Sequence, residues 1–126
     1  MKQVFRHANA RADLPYSHVV KAGDTYYISG HVPIEAETKQ ITSGGIGPQT
    51  RQTLENLKHT LALADLTFDN VVKVNIFLVN MSDFKEMNEV YKEYFTNDPP
   101  ARTTVGTTEL SHPDMGIEIE MIALAS

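Results

Sequence analysis

The sequence predicts an α+β fold: a single sheet with two helices on one face, formed by residues 1–126 as one domain. Three observations lead there. Two stretches carry apolar side chains at helical spacing, and each lies between β-branched runs. Each of these helices joins two strands, and right-handed crossovers place both on the same side of one sheet. No repeat, low-complexity segment or long linker divides the 126 residues, a length that fits one domain burying roughly two-thirds of its chain surface.

The elements follow in order. A short strand is expected at "KQVF". The run "YSHVVKAGDTYYISGHV" (16–32) reads as two strands around the two-residue turn Gly23-Asp24. That turn sets Tyr16 opposite His31 and His18 opposite Ser29, on one face. "PIEAETKQITSGGIG" (33–47) is turn-rich and irregular. Pro48 then opens a helix of about 18 residues at its first position, with Leu54, Leu57, Leu61 and Ala64 on the apolar side.

"NVVKVNIFLVN" (70–80) is nearly continuously apolar and β-branched, which suits an interior strand. Ser82 or Asp83 is expected to cap a second helix, "DFKEMNEVYKEYF", with Phe84, Met87, Tyr91, Tyr94 and Phe95 on one side. Asn97 to Pro100 stop it. "ARTTVGTTEL" and "GIEIEMIALA" form the last two strands. In the final one, Ile117, Ile119 and Met121 share a side, and Glu118, Glu120, Ile122 and Leu124 share the other. With both helices on one face, the second side would be a bare apolar patch, and self-association is the simplest way to cover it.

Composition narrows the function. The 41% hydrophobic and 21% charged content is that of an ordinary globular protein. Cysteine is absent, so disulfides and thiolate metal sites are excluded. A net charge of −5 without a basic stripe gives no footprint for nucleic acid. There is no apolar run of membrane-spanning length and no signal-peptide pattern, which makes the cytoplasm the expected location. The five histidines show no metal-ligand spacing.

Within "NDPPARTTV", Arg102 stands at the start of a strand with Asp98 as the one acidic residue within four positions. Its planar guanidinium suits a bidentate grip on a carboxylate, although an isolated arginine is more often a surface residue or part of a structural ion pair. Glu118 and Glu120 could position water and take its proton, or could line a solvated sheet face. Tyr16, after Pro15, could reach a ligand or pack. Gly30 permits a close backbone approach or a bulge. The residues alone do not name a reaction.

"PYSHVVKAGDTYYISGHVP", the segment from Gln49 to Phe95, "PPARTTV" and "IEIEMIAL" occur in the order found in the Rid family, also called YjgF-like. The sequence resembles that family from about Pro15 to Leu124. The resemblance implies a chorismate-mutase-like fold, a homotrimer with ligand clefts between subunits, and no metal or organic cofactor. It implies deamination of reactive enamines and imines, such as 2-aminoacrylate and 2-iminopropanoate, to 2-oxo acids and ammonia.

Carried over by motif, the resemblance makes Arg102 the clamp on the substrate carboxylate and Glu118 the residue that orients water. It puts Tyr16 in the cleft lining, Ser29 and Gly30 where the ligand is met, through the Gly30 backbone, Asn88 at the family's asparagine in the second helix, and Thr104 where many members have cysteine. His18 and His31 stand where glutamine is usual, and Thr103 and Thr104 replace Ser-Cys. The "TELSHPDMGIE" connection is about one residue longer than the commonest form. These departures bear on substrate preference. A second hypothesis keeps the same cleft without turnover, in a regulatory trimer that senses a carboxylated metabolite.

Overall fold

The computed structural model describes all 126 residues. Eight main elements follow one another: β1 (Lys2–Phe5), β2 (Val19–Ala22), β3 (Thr25–His31), α1 (Ile46–Leu63), β4 (Val71–Leu78), α2 (Phe84–Tyr91), β5 (Ala101–Gly106) and β6 (Ile117–Leu124). Short 3-10 turns at Phe68–Asn70 and Met81–Asp83 lead into β4 and α2. The six strands form one sheet in the order β1-β2-β3-β6-β4-β5, with β4 and β5 parallel and the other neighbours antiparallel.

Both helices lie on one face, as the crossovers require. Leu54, Leu57 and Leu61 of α1 and Met87 and Tyr91 of α2 are buried against Val74, Ile76, Leu78, Ile117, Ile119 and Met121 of the central strands. Period-two alternation sends the other set outward. Tyr27, Val105 and Leu124 are exposed on the opposite face, with Ile122 half-buried between them.

Both helix boundaries differ from the expectation, and two strands are shorter than expected, β2 starting at Val19 and β5 ending at Gly106. Helix α1 begins at Ile46, so Pro48 is its third residue and not its first. Proline is tolerated there because the first four N–H groups of a helix have no intrahelical partner. The N-cap, Gly45, has no side chain to offer, and Glu86 of α2 supplies the cap by accepting from Gly47 N–H at 3.2 Å. Helix α2 ends at Tyr91, short of Phe95, and a turn carries Tyr94 and Phe95 onto the core. Its N-cap Asp83 makes no side-chain capping bond.

Loop 32–45 is tied to α1 by side chains in place of a ladder. Asn56 Nδ2 donates to the carbonyls of Val32 and Ile34, at 3.0 and 2.9 Å. Buried Gln49 donates to Thr42 O and Asp114 O and accepts from Gly116 N–H at 2.7 Å. These bonds satisfy polar groups that burial would otherwise penalise by about 1–3 kcal/mol each.

Candidate active site

The first cluster grows out of the β2–β3 hairpin. Gly23, at φ +62, makes the turn that a side chain would strain. The register Val19↔Ile28 continues to His18 and Ser29, where Ser29 N–H donates to His18 O at 3.0 Å. His18 and His31 come to one side as that register predicts, their ring centroids 6.5 Å apart.

Against β6 the ladder slips between Ile28↔Met121 and His31↔Ile119. Ser29 and Gly30 therefore oppose Glu120 alone, which is a β-bulge. Ser29 is committed to the bulge through all its polar groups. Its hydroxyl donates to Ser17 O at 2.6 Å, and its carbonyl accepts from His31 Nδ1–H at 2.7 Å.

Gly30 is glycine because of Glu118. A Cβ at position 30 would lie 2.1 Å from Glu118 Oε2. Burial pushes the Glu118 carboxyl pKa up, and the neighbouring Glu120 charge pushes it further the same way. Glu120 is itself held by Asn75, whose Nδ2 donates at 3.0 Å. Tyr16 stands exposed at the edge of this cluster, its ring edge-on to His18 at 6.0 Å.

The second cluster is built on α2 and β5. Asp98, at φ +45, turns the chain after the helix, and Pro99-Pro100 then lead it extended into β5. Arg102 donates from Nη1 to Asn88 Oδ1 at 2.7 Å. Its guanidinium carbon lies 4.8 Å from the Tyr91 ring centroid and 5.6 Å from that of Phe84. The ion pairs of the chain are Arg11–Asp13, Arg51–Glu93 and Lys92–Glu89, so Arg102 has no carboxylate partner. Most of its five N–H donors are left over.

A pocket of about 320 Å³ beside Arg102 is lined by Asn88, Tyr91, Lys92 and Pro99, among others. The buried Tyr91 hydroxyl and Thr104 Oγ1 have no hydrogen-bond partner in the chain. Burial pushes the Tyr91 phenol up to about 12 despite the nearby Arg102 charge.

The two clusters do not meet within one chain. Arg102 is registered with Val74 and Val74 with Met121, all on the helix side. Glu118 is registered with Phe77 on the opposite, open side. Tyr16, Ser29, Gly30 and Glu118 thus form one half, and Arg102, Asn88 and Thr104 the other.

Sequence reasoning missed Tyr91 and Phe84 as partners of Arg102, reading them only as helix packing. It also missed Thr60, whose Oγ1 lies 2.8 Å from His7 Nε2 and 2.7 Å from His31 Nε2. No local signal brings His7 to this wall; its place follows from the register of β1 on β2, Phe5↔Val19. No three His, Asp or Glu side chains converge as a metal-ligand set. No helix is long and apolar enough to cross a membrane.

Residues 7–125 match a family model described as endoribonuclease L-PSP. A RutC family protein of Pyrococcus horikoshii is 45% identical over 124 residues, covering 98% of each chain. A protein of Dermatophagoides farinae named 2-iminobutanoate/2-iminopropanoate deaminase is 38% identical over 110 residues, covering 87% of this chain and 85% of its own. Among solved structures, a Rid-family protein of unknown function from Yersinia pestis superposes with a TM-score of 0.90 at 34% identity, covering 99% of this chain and 100% of that one.

Proposed function

Since the chain belongs to the endoribonuclease L-PSP family, known equally as Rid or YjgF-like, we propose that it is an imine deaminase. Its substrates are small 2-imino acids and their enamine tautomers, such as 2-iminopropanoate, 2-iminobutanoate and 2-aminoacrylate. The products are 2-oxo acids and ammonia, and the enzyme works in the cytoplasm without metal or organic cofactor. The observation that carries the reading is Arg102, a half-buried guanidinium held by an amide and two aromatic faces with no counter-charge. A substrate carboxylate completes it. The deaminase-named relative, 38% identical, points the same way.

The chemistry needs little beyond placement. Arg102 grips the carboxylate bidentately, Asn88 keeps the guanidinium aimed, and the Thr104 backbone N–H faces the same anion. Glu118 takes a proton from water as the water oxygen bonds to the imine carbon and the C=N π pair moves to nitrogen. Glu118 passes that proton to the nitrogen, which gives the neutral carbinolamine. It then takes the carbinolamine hydroxyl proton as the C=O bond forms and the C–N bond breaks, and hands it to the leaving nitrogen, which departs as ammonia. Gly30 lets substrate approach the backbone closely, and Tyr16 closes the cleft from the side.

Arg102 and Glu118 lie on opposite faces of one sheet, so the reading requires a shared cleft. We place the open faces of three copies against one another, covering Tyr27, Val105 and Leu124. Each cleft then takes Arg102 from one subunit and Glu118 from its neighbour. RNA cleavage, which the family description names, finds no support in a chain of net charge −5 without a basic stripe.

The test generates 2-iminopropanoate from alanine with an amino-acid oxidase and traps the imine with semicarbazide. The protein is expected to suppress semicarbazone formation, and Arg102→Ala to abolish that effect. Ligand binding without any faster imine loss would favour the sensing role. An Arg102→Ala rate equal to wild type would overturn the assignment.

A further inference from the structure

Beside Gly30 and Tyr16 lies a groove of about 490 Å³, walled by His7, His18, His31 and His59. The hydrogen bonds settle which nitrogens of three of these rings carry protons. A carbonyl only accepts, so His31 bears its proton on Nδ1, facing Ser29 O. Neutral His31 then presents a bare Nε2, and Thr60 must donate its single hydroxyl proton there. The Thr60 oxygen can in turn only accept from His7, which places the His7 proton on Nε2 and leaves Nδ1 bare.

His18 is fixed independently. Its Nδ1 lies 3.3 Å from His7 backbone N–H, which only donates, so Nδ1 is bare and the proton sits on Nε2. Burial lowers the pKa values of His7, His18 and His31, His31 to about 4, which keeps all three neutral at pH 7. Two ring atoms on the groove wall are left without a partner in the chain. They are an acceptor, His7 Nδ1, and a donor, His18 Nε2–H, on rings 4.7 Å apart and edge-to-face.

We propose that this groove is the side-chain subsite of the deaminase cleft and selects imines whose side chain ends in a neutral carboxamide. The proposal rests on the deaminase reading, because Tyr16 and Gly30 belong to both spaces. A carboxamide offers its carbonyl to His18 Nε2–H and its N–H to His7 Nδ1, satisfying both atoms together. A carboxylate can satisfy only the donor and meets the His7 lone pair. Lys39 and Glu35, which also line the groove, carry opposite charges, and Arg6, whose charge reaches His18, is not part of the lining. An aliphatic side chain would leave both ring atoms desolvated and unpaired, and sites built for hydrogen bonds reject such analogues. A methyl group fills little of the volume.

An amino-acid oxidase acting on glutamine, glutamate, methionine or alanine supplies four imines for the semicarbazide competition assay. The glutamine-derived imine is expected to show kcat/KM about tenfold above the methionine and glutamate ones. His18→Phe should bring the glutamine-to-methionine ratio to about one. Turnover of the alanine-derived imine with equal rates for glutamine and methionine overturns the subsite and leaves the deaminase standing. A faster glutamate imine would mean that Lys39 or Arg6 governs the groove, and overturns it too. No acceleration with any imine removes the deaminase reading and the subsite with it. Imidazole ¹⁵N spectra at pH 7 give a check that needs no variant. They should show His31 protonated on Nδ1 and His7 and His18 on Nε2, and any other set overturns the donor–acceptor pair.

Discussion

Arg102 and Glu118 are prepared in opposite ways. Arg102 is held from several sides by neutral groups, Asn88 at 2.7 Å and the faces of Tyr91 and Phe84, and keeps an uncompensated charge. Glu118 fills the space that a Cβ at Gly30 would take, with a second carboxylate nearby that makes its charge harder to keep. The first half is preorganised for an anion, and the second is biased toward holding a proton. On the proposed reading, the difference gives binding to one half and proton transfer to the other.

The largest effect expected from breaking that division is on Arg102 itself. Arg102→Ala should lower kcat/KM by roughly 10³-fold, since two charge-assisted hydrogen bonds and the substrate's orientation go together. Glu118→Gln should lower kcat by about 10²–10⁴-fold. The two variants also test the shared cleft. Refolded together in equal amounts, they should regain about a quarter of wild-type activity, the fraction of clefts that draw both intact residues from different subunits. No recovery on mixing would mean that the two halves do not form one site.

Gly30→Ala strikes the second half alone. The new Cβ would sit 2.1 Å from Glu118 Oε2, so the carboxylate must move. We expect kcat to fall about 100-fold with little loss of stability, because only the end of a flexible side chain has to shift, and ligand binding through Arg102 largely retained. Equal losses in binding and turnover would erase the distinction between the halves.

The same half should be the acid-sensitive one. Unfolded His31 titrates near 6.5 and folded His31 near 4, so between these values the unfolded chain binds more protons. Stability should therefore fall as pH drops through this window, by about 3 kcal/mol in all. Lowered His7 and His18 values add to the loss, whereas the raised Glu118 value opposes it. Thermal melts at fixed protein concentration should show a shallower acid slope for His31→Gln. An unchanged slope would assign the loss to other groups.

Much of this was open to reading from the residues, for identifiable reasons. The Gly23-Asp24 turn carries the hairpin register, and strict alternation in "IEIEMIAL" separates Glu118 from the core. What stayed hidden depends on contacts distant in sequence. Helix α1 starts before Pro48 because Glu86, 39 residues away, caps it. Which face of the sheet Arg102 takes depends on the parallel pairing of β5 with β4, and nothing in "PPARTTV" carries that. The family resemblance named both residues without saying that a single chain keeps them on opposite faces. The Thr60 bridge joins three segments and has no local signature.

On the binding side, Asn88→Ala should raise KM by about tenfold with a small change in kcat. It removes one hydrogen bond that aims the guanidinium while leaving the aromatic faces in place.

The smallest effect separates the halves most finely. A guanidinium does not titrate in the working range, so the acid limb of kcat/KM has to come from the Glu118 side. In the proposed mechanism Glu118 accepts the water proton as a carboxylate, and its pKa is raised by burial first and by Glu120 second. Activity should therefore rise with pH through a midpoint above 4.5, the ordinary value for a glutamate. Glu120→Gln keeps a carbonyl for Asn75 and removes the second cause, so the midpoint should move down while the plateau stays close to wild type. A midpoint that stays put would show that burial against Gly30 alone tunes Glu118. Loss of the acid limb altogether would mean that Glu120, not Glu118, is the group being deprotonated.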